Sequence, residues 1–195
     1  MGQTDKVKSI ATKKLVFNDT LLTKVGRWTE RGFFFLIAIT IVIIALSDIW
    51  DGYKTDNLPI SRIVVAFVFI SMASWLIHGL FHLDDLVIIT GIEKSKNKDL
   101  MYDIVSEMFI DTKFVFVNDQ LIGSRRWTMK KTEKAINIIF HGSDVYINIK
   151  HKARFGNMDS PFHVLTTQAD IKEIKVRFLE KTAANNIFAS SGVDA

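Results

Sequence analysis

Basic and aromatic side chains in the second half of the chain are the residues best suited to chemistry. One stretch combines two arginines, an indole and two lysines: Arg125, Arg126, Trp127, Lys130 and Lys131. Cationic side chains bind phosphates, and an aromatic face stacks on nucleic-acid bases. The stretch is therefore a candidate contact with nucleic acid or with a partner protein. The alternative is a set of solvated strand ends, or a basic face lying against anionic lipid.

A second basic stretch lies further along the chain, at Lys150, His151, Lys152 and Arg154, beside Phe155. If the two stretches lie on neighbouring strands of one sheet, they form a larger surface for anions. The same alternative applies here, because lysine and arginine side chains are mostly solvated.

Histidines provide the next candidate groups. His141, His151 and His163 lie on or beside predicted strands and could converge, although single histidines on strands are more often satisfied surface residues. His78 and His82 are four positions apart, so they share one face of a helix, a spacing that suits a metal. The spacing determines no third ligand, and we predict no metal site.

The motifs of the common enzyme chemistries are missing from the sequence. It has no glycine-rich phosphate loop, no nucleophile elbow and no paired-carboxylate signature. It also has no cysteine, which excludes a disulfide framework and a thiolate nucleophile. We therefore expect neither catalysis nor a cofactor.

Two apolar segments dominate the organisation of the chain. The first spans 32–50, and the second carries no Asp, Glu, Lys or Arg between positions 63 and 83. A bilayer core about 30 Å thick needs about 20 mostly apolar residues in a helix. The pattern predicts a transmembrane helical hairpin over 32–82. Buried core helices of a soluble protein are the alternative, but a chain this short could not cover two helices that are apolar all round.

Charges and aromatic residues at the ends of the hairpin predict its orientation. Basic residues precede the first helix at Lys13, Lys14, Lys24, Arg27 and Arg31. The connecting loop region offers only Lys54 and Arg62, beside several aspartates. Basic flanks favour the cytoplasmic side, so both termini are expected in the cytoplasm. Trp28, Trp50 and Tyr53 suit the membrane interface.

Small and polar residues mark candidate contact faces within the hairpin. Ala38 and Ala45 are one heptad apart, and Ser71, Ser74 and His78 fall on one side of the second helix. Small residues let membrane helices approach closely, and hydroxyls can hydrogen-bond across the contact. The faces either join the two helices of one chain or build an oligomer. We take Ser71, Ser74 and His78 as the candidate clustering face. No ionisable residue lies at mid-span, which argues against an ion-coupled transporter.

Composition divides the chain into four parts. Residues 1–31 form a basic cytoplasmic segment, predicted as either a short amphipathic helix on the membrane surface or a partly ordered tail. Residues 32–82 are the hairpin, 83–184 a cytoplasmic α+β domain and 185–195 a flexible tail.

The α+β domain is predicted as an antiparallel sheet or small barrel with a carboxy-terminal helix. Asn97 is expected to cap a helix near 98–110, and Thr167 one near 169–183. The clearest local feature is a β-hairpin that joins 135–140 to 145–149. Further strands are predicted at 86–90, 112–117, 121–122, 125–129 and 161–165.

In the order and size of its parts, the chain resembles the small two-transmembrane effectors of bacterial anti-phage, abortive-infection systems. Some of these are encoded with retrons and others with cyclic-oligonucleotide synthases. The retron-linked type is favoured, because the early Gly/Trp-rich strand expected for the nucleotide-binding barrel of the other type is not obvious here.

This resemblance implies a two-pass protein of the bacterial inner membrane that contacts lipid. A cytoplasmic partner, either a complex of reverse transcriptase and nucleic acid or a nucleotide signal, would control it. On infection the protein would form homo-oligomers and permeabilise the membrane. Two alternatives stay open. One is a non-toxic anchor or accessory subunit of an envelope complex, and the other is a membrane regulator that senses a nucleotide or a lipid.

Overall fold

The computed structural model describes residues 3–55, 59–125, 133–152 and 159–191, and at positions 3, 125 and 185–191 it describes the backbone alone. The chain forms two compact units: 19–83, and 1–18 together with 84–195. The elements in chain order are β1 (Gln3–Thr4), α1 (Lys6–Thr12), β2 (Phe17–Asn18), α2 (Leu21–Lys54), α3 (Ile60–His82), β3 (Val87–Thr90), α4 (Lys94–Met108), β4 (Lys113–Val117), β5 (Gln120–Arg125), β6 (Lys134–His141), β7 (Asp144–His151), a 3₁₀ turn (Pro161–His163) and α5 (Val164–Ser191).

The unit 19–83 is a hairpin of two long apolar helices. α2 has 34 residues and α3 has 23. At 1.5 Å per residue these helices are about 51 and 35 Å long, and both exceed the hydrocarbon thickness of a bilayer. Both are long and apolar enough to cross a membrane. α2 begins well before the predicted apolar span, where the Thr20 side chain accepts a hydrogen bond from the Thr23 N–H.

Small side chains make the contact between α2 and α3. Ala38 and Ala45 are buried on α2, and Ala66 and Ala73 are buried on α3. Larger residues complete the contact: Phe34, Leu76 and Leu80. Alanines let the two backbones approach closely. Membrane helices associate through such close packing of small residues, because no hydrophobic driving force acts between them in lipid. The predicted apolar hairpin is confirmed, and Ala38 and Ala45 lie in its helix contact.

The other unit, 1–18 together with 84–195, is called the globular unit here. It is built on a five-stranded antiparallel sheet in the order β3-β7-β6-β5-β4. The predicted antiparallel sheet with a carboxy-terminal helix is confirmed, in the form of an open sheet. The predicted hairpin is β6–β7, in which Phe140 pairs with Val145 and His141 with Asp144. Its two-residue turn places Gly142 at a φ of 58°, a conformation that glycine adopts without strain.

Both faces of β6 are covered. Ile136, Ile138 and Phe140 face α4 and α5, where they pack with residues such as Ile104 and Phe178. On the opposite face, Ile139 packs with Leu15, Leu86 and Tyr146. A strand buried on both faces loses the alternation of apolar and polar residues, which explains the nearly continuous apolar run of β6.

The amino-terminal segment belongs to the globular unit. β1 and β2 pair with each other, α1 lies between them, and Leu15 is buried over the sheet. The sequence predicts a surface helix or a partly ordered tail within 1–31. The structure instead shows 3–18 as a small α/β layer, because Leu15, Ile10 and Phe17 find apolar partners on the sheet.

Three local predictions are wrong. The stretch predicted as a strand at 161–165 is a 3₁₀ turn that continues into α5, since Pro161 suits a helix start and Val164 is buried there. α5 therefore begins before Thr167. Asn97 lies inside α4, where its Oδ1 accepts from the Ile92 N–H at 3.0 Å and its Nδ2 donates to the Ser143 carbonyl at 3.0 Å.

Candidate functional site

The predicted basic contact lies largely beyond the part of the chain that the structure describes. Arg125 is the last residue of β5, where its backbone pairs with Lys134. Arg126, Trp127, Lys130 and Lys131 fall outside the described residues. Their assignment as a partner or nucleic-acid contact therefore stays a prediction.

The second basic stretch contains a buried charge rather than a solvated one. Lys150 is 3% exposed, and its Nζ lies 2.5 Å from Asp84 Oδ1 and 2.9 Å from Asp159 Oδ2. The Nζ also lies 5.5 Å from the centroid of the Phe17 ring. The side chain belongs to the face of β7 that the amino-terminal layer covers. Lys150 is thus unavailable to a phosphate, and the anion surface inferred for this stretch loses its first residue.

Lys150 belongs to a junction cluster, which we define as Lys150, Asn148, Asp84, Asp85 and Asp159. The Asn148 Nδ2 donates to the Asp85 carbonyl at 2.9 Å. Each member of the cluster is either on β7 or in a segment that approaches it. Removing one partner of a buried ion pair leaves an uncompensated charge, so the cluster resists rearrangement.

Within the globular unit, the stretch before residue 19 and the stretch after residue 83 are hydrogen-bonded to each other. The Leu15 N–H donates to the Asp84 carbonyl at 2.6 Å, and the Leu86 N–H donates to the Lys13 carbonyl at 3.0 Å. Lys14 and Asp85 add an ion pair at 3.6 Å. These stretches continue in sequence into the two helices of the hairpin. Hydrogen bonds and an ion pair therefore hold 13–15 and 84–86 together, close to the two positions where the globular unit ends in sequence.

Two of the three histidines that were predicted on or beside strands converge. The rings of His151 and His163 are stacked, with centroids 4.7 Å apart and planes 2° apart. His141 lies at the other end of β6, opposite Asp144. Ser160 Oγ is 2.9 Å from His163 Nδ1, and Asp170 Oδ2 is 3.8 Å from His151 Nε2.

The arrangement of this histidine pair argues for a structural role. Asp170 lies beside one histidine and Ser160 beside the other, so this carboxylate and this hydroxyl are not joined through one imidazole as they would be in a catalytic triad. Burial lowers the pKa of His163, and the electrostatic influence of the neighbouring His151 and Lys134 lowers it further. Burial opposes ionisation of Asp170, but the approach of His151 and of Lys134, at 2.6 Å, outweighs it and lowers the pKa of that carboxyl.

A lysine cluster at the other end of the sheet was missed in the sequence. Lys6, Lys94 and Lys98 surround the Asp119 carboxylate at 2.7, 2.6 and 3.1 Å. Hydrogen bonds from the three lysines hold the pKa of Asp119 far below its usual range. Three ammonium groups against one carboxylate leave a net charge of +2. The residues come from α1, α4 and the turn after β4, so only the fold brings them together.

The predicted clustering residues lie on the exposed side of α3. Ser71, Ser74 and His78 are all exposed, whereas the contact with α2 uses Ala66, Ala73 and Leu76. The centroids of the His78 and His82 rings are 4.2 Å apart. Across the described ranges, no group of three His, Cys, Asp or Glu side chains could hold a metal ion.

Comparisons with models of protein families, with curated proteins and with solved structures found no match for this chain.

Proposed function

We propose that the protein is a two-pass effector of the bacterial inner membrane that acts in abortive infection by phage. A cytoplasmic partner holds it inactive. On infection the partner releases it, the hairpins cluster through the face of Ser71, Ser74 and His78, and the membrane becomes permeable. The partner thus biases a two-state equilibrium between single and clustered hairpins.

The observation that carries the proposal is the outward apolar surface of the hairpin. Leu36 is 63% exposed and Phe67 is 71% exposed, and similar side chains surround both helices. Only 17% of the apolar window of α2 and 28% of that of α3 is buried. A soluble protein rarely exposes such a surface, whereas a bilayer accepts it and requires helical backbone.

The position of the polar side chains supports clustering over transport. Ser71, Ser74 and His78 are on the surface of α3 that α2 leaves uncovered. Hydroxyls at such positions can hydrogen-bond to a second hairpin. The absence of Asp, Glu, Lys and Arg from the middle of both helices gives no path for ion-coupled transport.

Membrane depolarisation in growing bacteria tests the proposal. The full chain is expressed from an inducible promoter, the membrane potential is followed with a dye, and protection against phage is measured in parallel. We expect depolarisation that Ala66→Asp abolishes, since a carboxylate would enter the buried helix contact. Leu165→Asp, at an exposed position of α5, is the matched control and should keep activity. An inserted full chain that neither depolarises cells nor protects them would overturn the proposal.

The alternative of a non-toxic anchor is favoured by one feature. The alanine contact between α2 and α3 completes a close-packed hairpin within a single chain, so the hairpin needs no second copy for its own packing. An anchor predicts stable association with other membrane proteins and an unchanged membrane potential when the chain is expressed alone.

A further inference from the structure

β4 forms an open edge of the sheet. Among the described strands it pairs with β5 on one side and with none on the other. The pairing runs without interruption from Lys113 opposite Ser124 to Val117 opposite Gln120. The strand contains no proline and no bulge, the two backbone features that commonly protect an edge from further pairing.

Unlike most edge strands, β4 is apolar on both faces. Val115 is 59% exposed and Val117 is 42% exposed on one face, and Phe116 is 42% exposed on the other. Phe116 rests against Tyr102, with ring centroids 5.8 Å apart. Strands with two apolar faces normally lie inside a sheet. The side chains of β4 therefore suit a strand that has neighbours on both sides.

The charges at the two ends of β4 differ. Lys113 at its start is balanced by Asp111, two positions earlier. Its far end is followed, after Asn118, by Asp119 and the surrounding lysine cluster, with its net charge of +2. A strand added here would meet a neutral end and a positive end.

This asymmetry selects the occupant. A second copy of β4 in antiparallel register would bring its own neutral end, Asp111 with Lys113, toward the lysine cluster, and it would leave the positive charge of that cluster uncompensated. An extended segment with acidic residues at one end and β-branched residues such as valine and threonine in the rest would match the charge, and its methyl groups would contact both apolar faces. Addition of a strand to an exposed sheet edge is a common mode of peptide recognition.

We propose that the β4 edge binds an extended, acid-ended apolar segment of a partner protein by strand addition, with the acidic end against Lys6, Lys94 and Lys98. Backbone hydrogen bonds of β4 provide the affinity, and Val115, Val117 and Phe116 contact the apolar side chains. The proposal that β4 binds such a segment depends only on the geometry of β4 and the lysine cluster. That this contact is the one holding the effector inactive rests on the proposed function.

A synthetic peptide tests the binding. The probe is a labelled strand-forming peptide of about ten residues, with two glutamates at its amino terminus followed by alternating valine and threonine. Binding to the purified full chain in detergent micelles is followed by fluorescence anisotropy. We expect saturable binding that weakens at least about tenfold when lysines replace the glutamates.

Two variants locate the site. Val115→Lys places a charge on the exposed face of β4 and should weaken binding by at least about tenfold. Val176→Lys makes the same change at an exposed position of α5 and should leave binding intact. Lys98→Glu should weaken the glutamate peptide and strengthen the lysine peptide, a reversal that general destabilisation cannot produce.

The outcomes separate this inference from the proposed function. No binding, equal binding of both peptides, or full binding by Val115→Lys overturns strand addition. A dimer of the full chain that Val115→Lys dissociates would instead make β4 a contact between copies, and it would also overturn the inference. The same variants are assayed for depolarisation. Peptide binding without depolarisation would contradict the effector function alone. Depolarisation without peptide binding would contradict the β4 site alone.

Discussion

The hairpin and the globular unit place their apolar side chains in opposite ways. In 19–83 most buried positions hold small residues, four alanines and two glycines, while Leu36, Phe67 and their neighbours are exposed. In the globular unit the isoleucines and Phe178 are buried. Opposite arrangements in one chain indicate two different surroundings, because each arrangement is stable only where its exterior matches its solvent.

The two units also differ in where their charged side chains lie. The middle of α2 and α3 carries none, whereas the globular unit buries the Lys150 ammonium between two carboxylates. A buried ion pair adds little net stability over an apolar replacement, although breaking it is costly. The hairpin thus depends on packing of small residues, while the globular unit depends on an apolar core with one polar junction fixed in it.

The largest expected difference between the units is in the loss of stability when one phenyl ring is removed from each. Phe178→Ala should lower the free energy of unfolding by about 3–5 kcal/mol, because the ring is fully buried and leaves a cavity. Phe67→Ala removes an equal ring from the exposed side of α3 and should cost less than about 1 kcal/mol. Urea unfolding of the full chain in micelles, followed by circular dichroism, measures both. Equal losses would mean that α3 has a protein neighbour at Phe67, and the contrast between the units would fail.

Breaking the junction cluster should have the next largest effect. Asp84→Ala leaves Lys150 buried with a single carboxylate and should cost about 2 kcal/mol in the same assay, since part of the charge loses its partner. Asp103→Ala, at an exposed carboxylate of α4, is the control and should stay within about 0.5 kcal/mol. A cost no larger than that of the control would show that Asp159 alone holds the ammonium.

Acid should weaken the globular unit in part through Asp170. Its pKa is lowered in the folded protein, so the folded state gains stability above the unfolded pKa of about 4 and loses it as the pH falls below that value. Asp170→Asn should therefore be less stable than the parent chain at pH 7. The difference should shrink as the pH falls from about 4 through the lowered pKa of the folded carboxyl, because protonation first favours the unfolded chain. The urea midpoint at each pH tests this, and a difference that stays constant would contradict it.

The parts of the fold that the sequence predicts correctly are those with strong local signals. Long uninterrupted apolar runs predict α2 and α3, and two apolar segments around Gly142 predict β6–β7. Failures occur where the local signal is weak. Val164 suits a strand by propensity, but Pro161 and burial of Val164 in the globular unit favour a helix.

The candidate sites were harder to predict than the fold, because side-chain chemistry depends on which face a residue occupies. Lys150 and Lys152 look alike in sequence, yet Lys150 lies on β7 and is buried in an ion-pair cluster, whereas Lys152 follows the end of the strand and pairs with Glu133. The lysines around Asp119 come from segments far apart in the chain, and no spacing rule connects them. One signal was available: α4 begins with Lys94, Lys96 and Lys98 and has no acid in its first turn. This placement opposes the helix dipole, so it requires a compensating charge such as Asp119.

The smallest expected effect tests the proposed clustering face. Ser74→Ala should change the stability of the hairpin by less than about 0.5 kcal/mol, because the side chain is exposed and outside the helix contact. An interhelical hydrogen bond in a membrane contributes about 0.6 kcal/mol, so loss of one should weaken self-association about threefold. Energy transfer between labelled chains in vesicles measures this, with Ser47→Ala on α2 as the control. A decrease with Ser74→Ala alone would assign the exposed side of α3 to a second hairpin. Equal decreases in self-association, or no decrease, would indicate that the exposed side of α3 contacts lipid only. The two units would then differ only in the solvent that surrounds them.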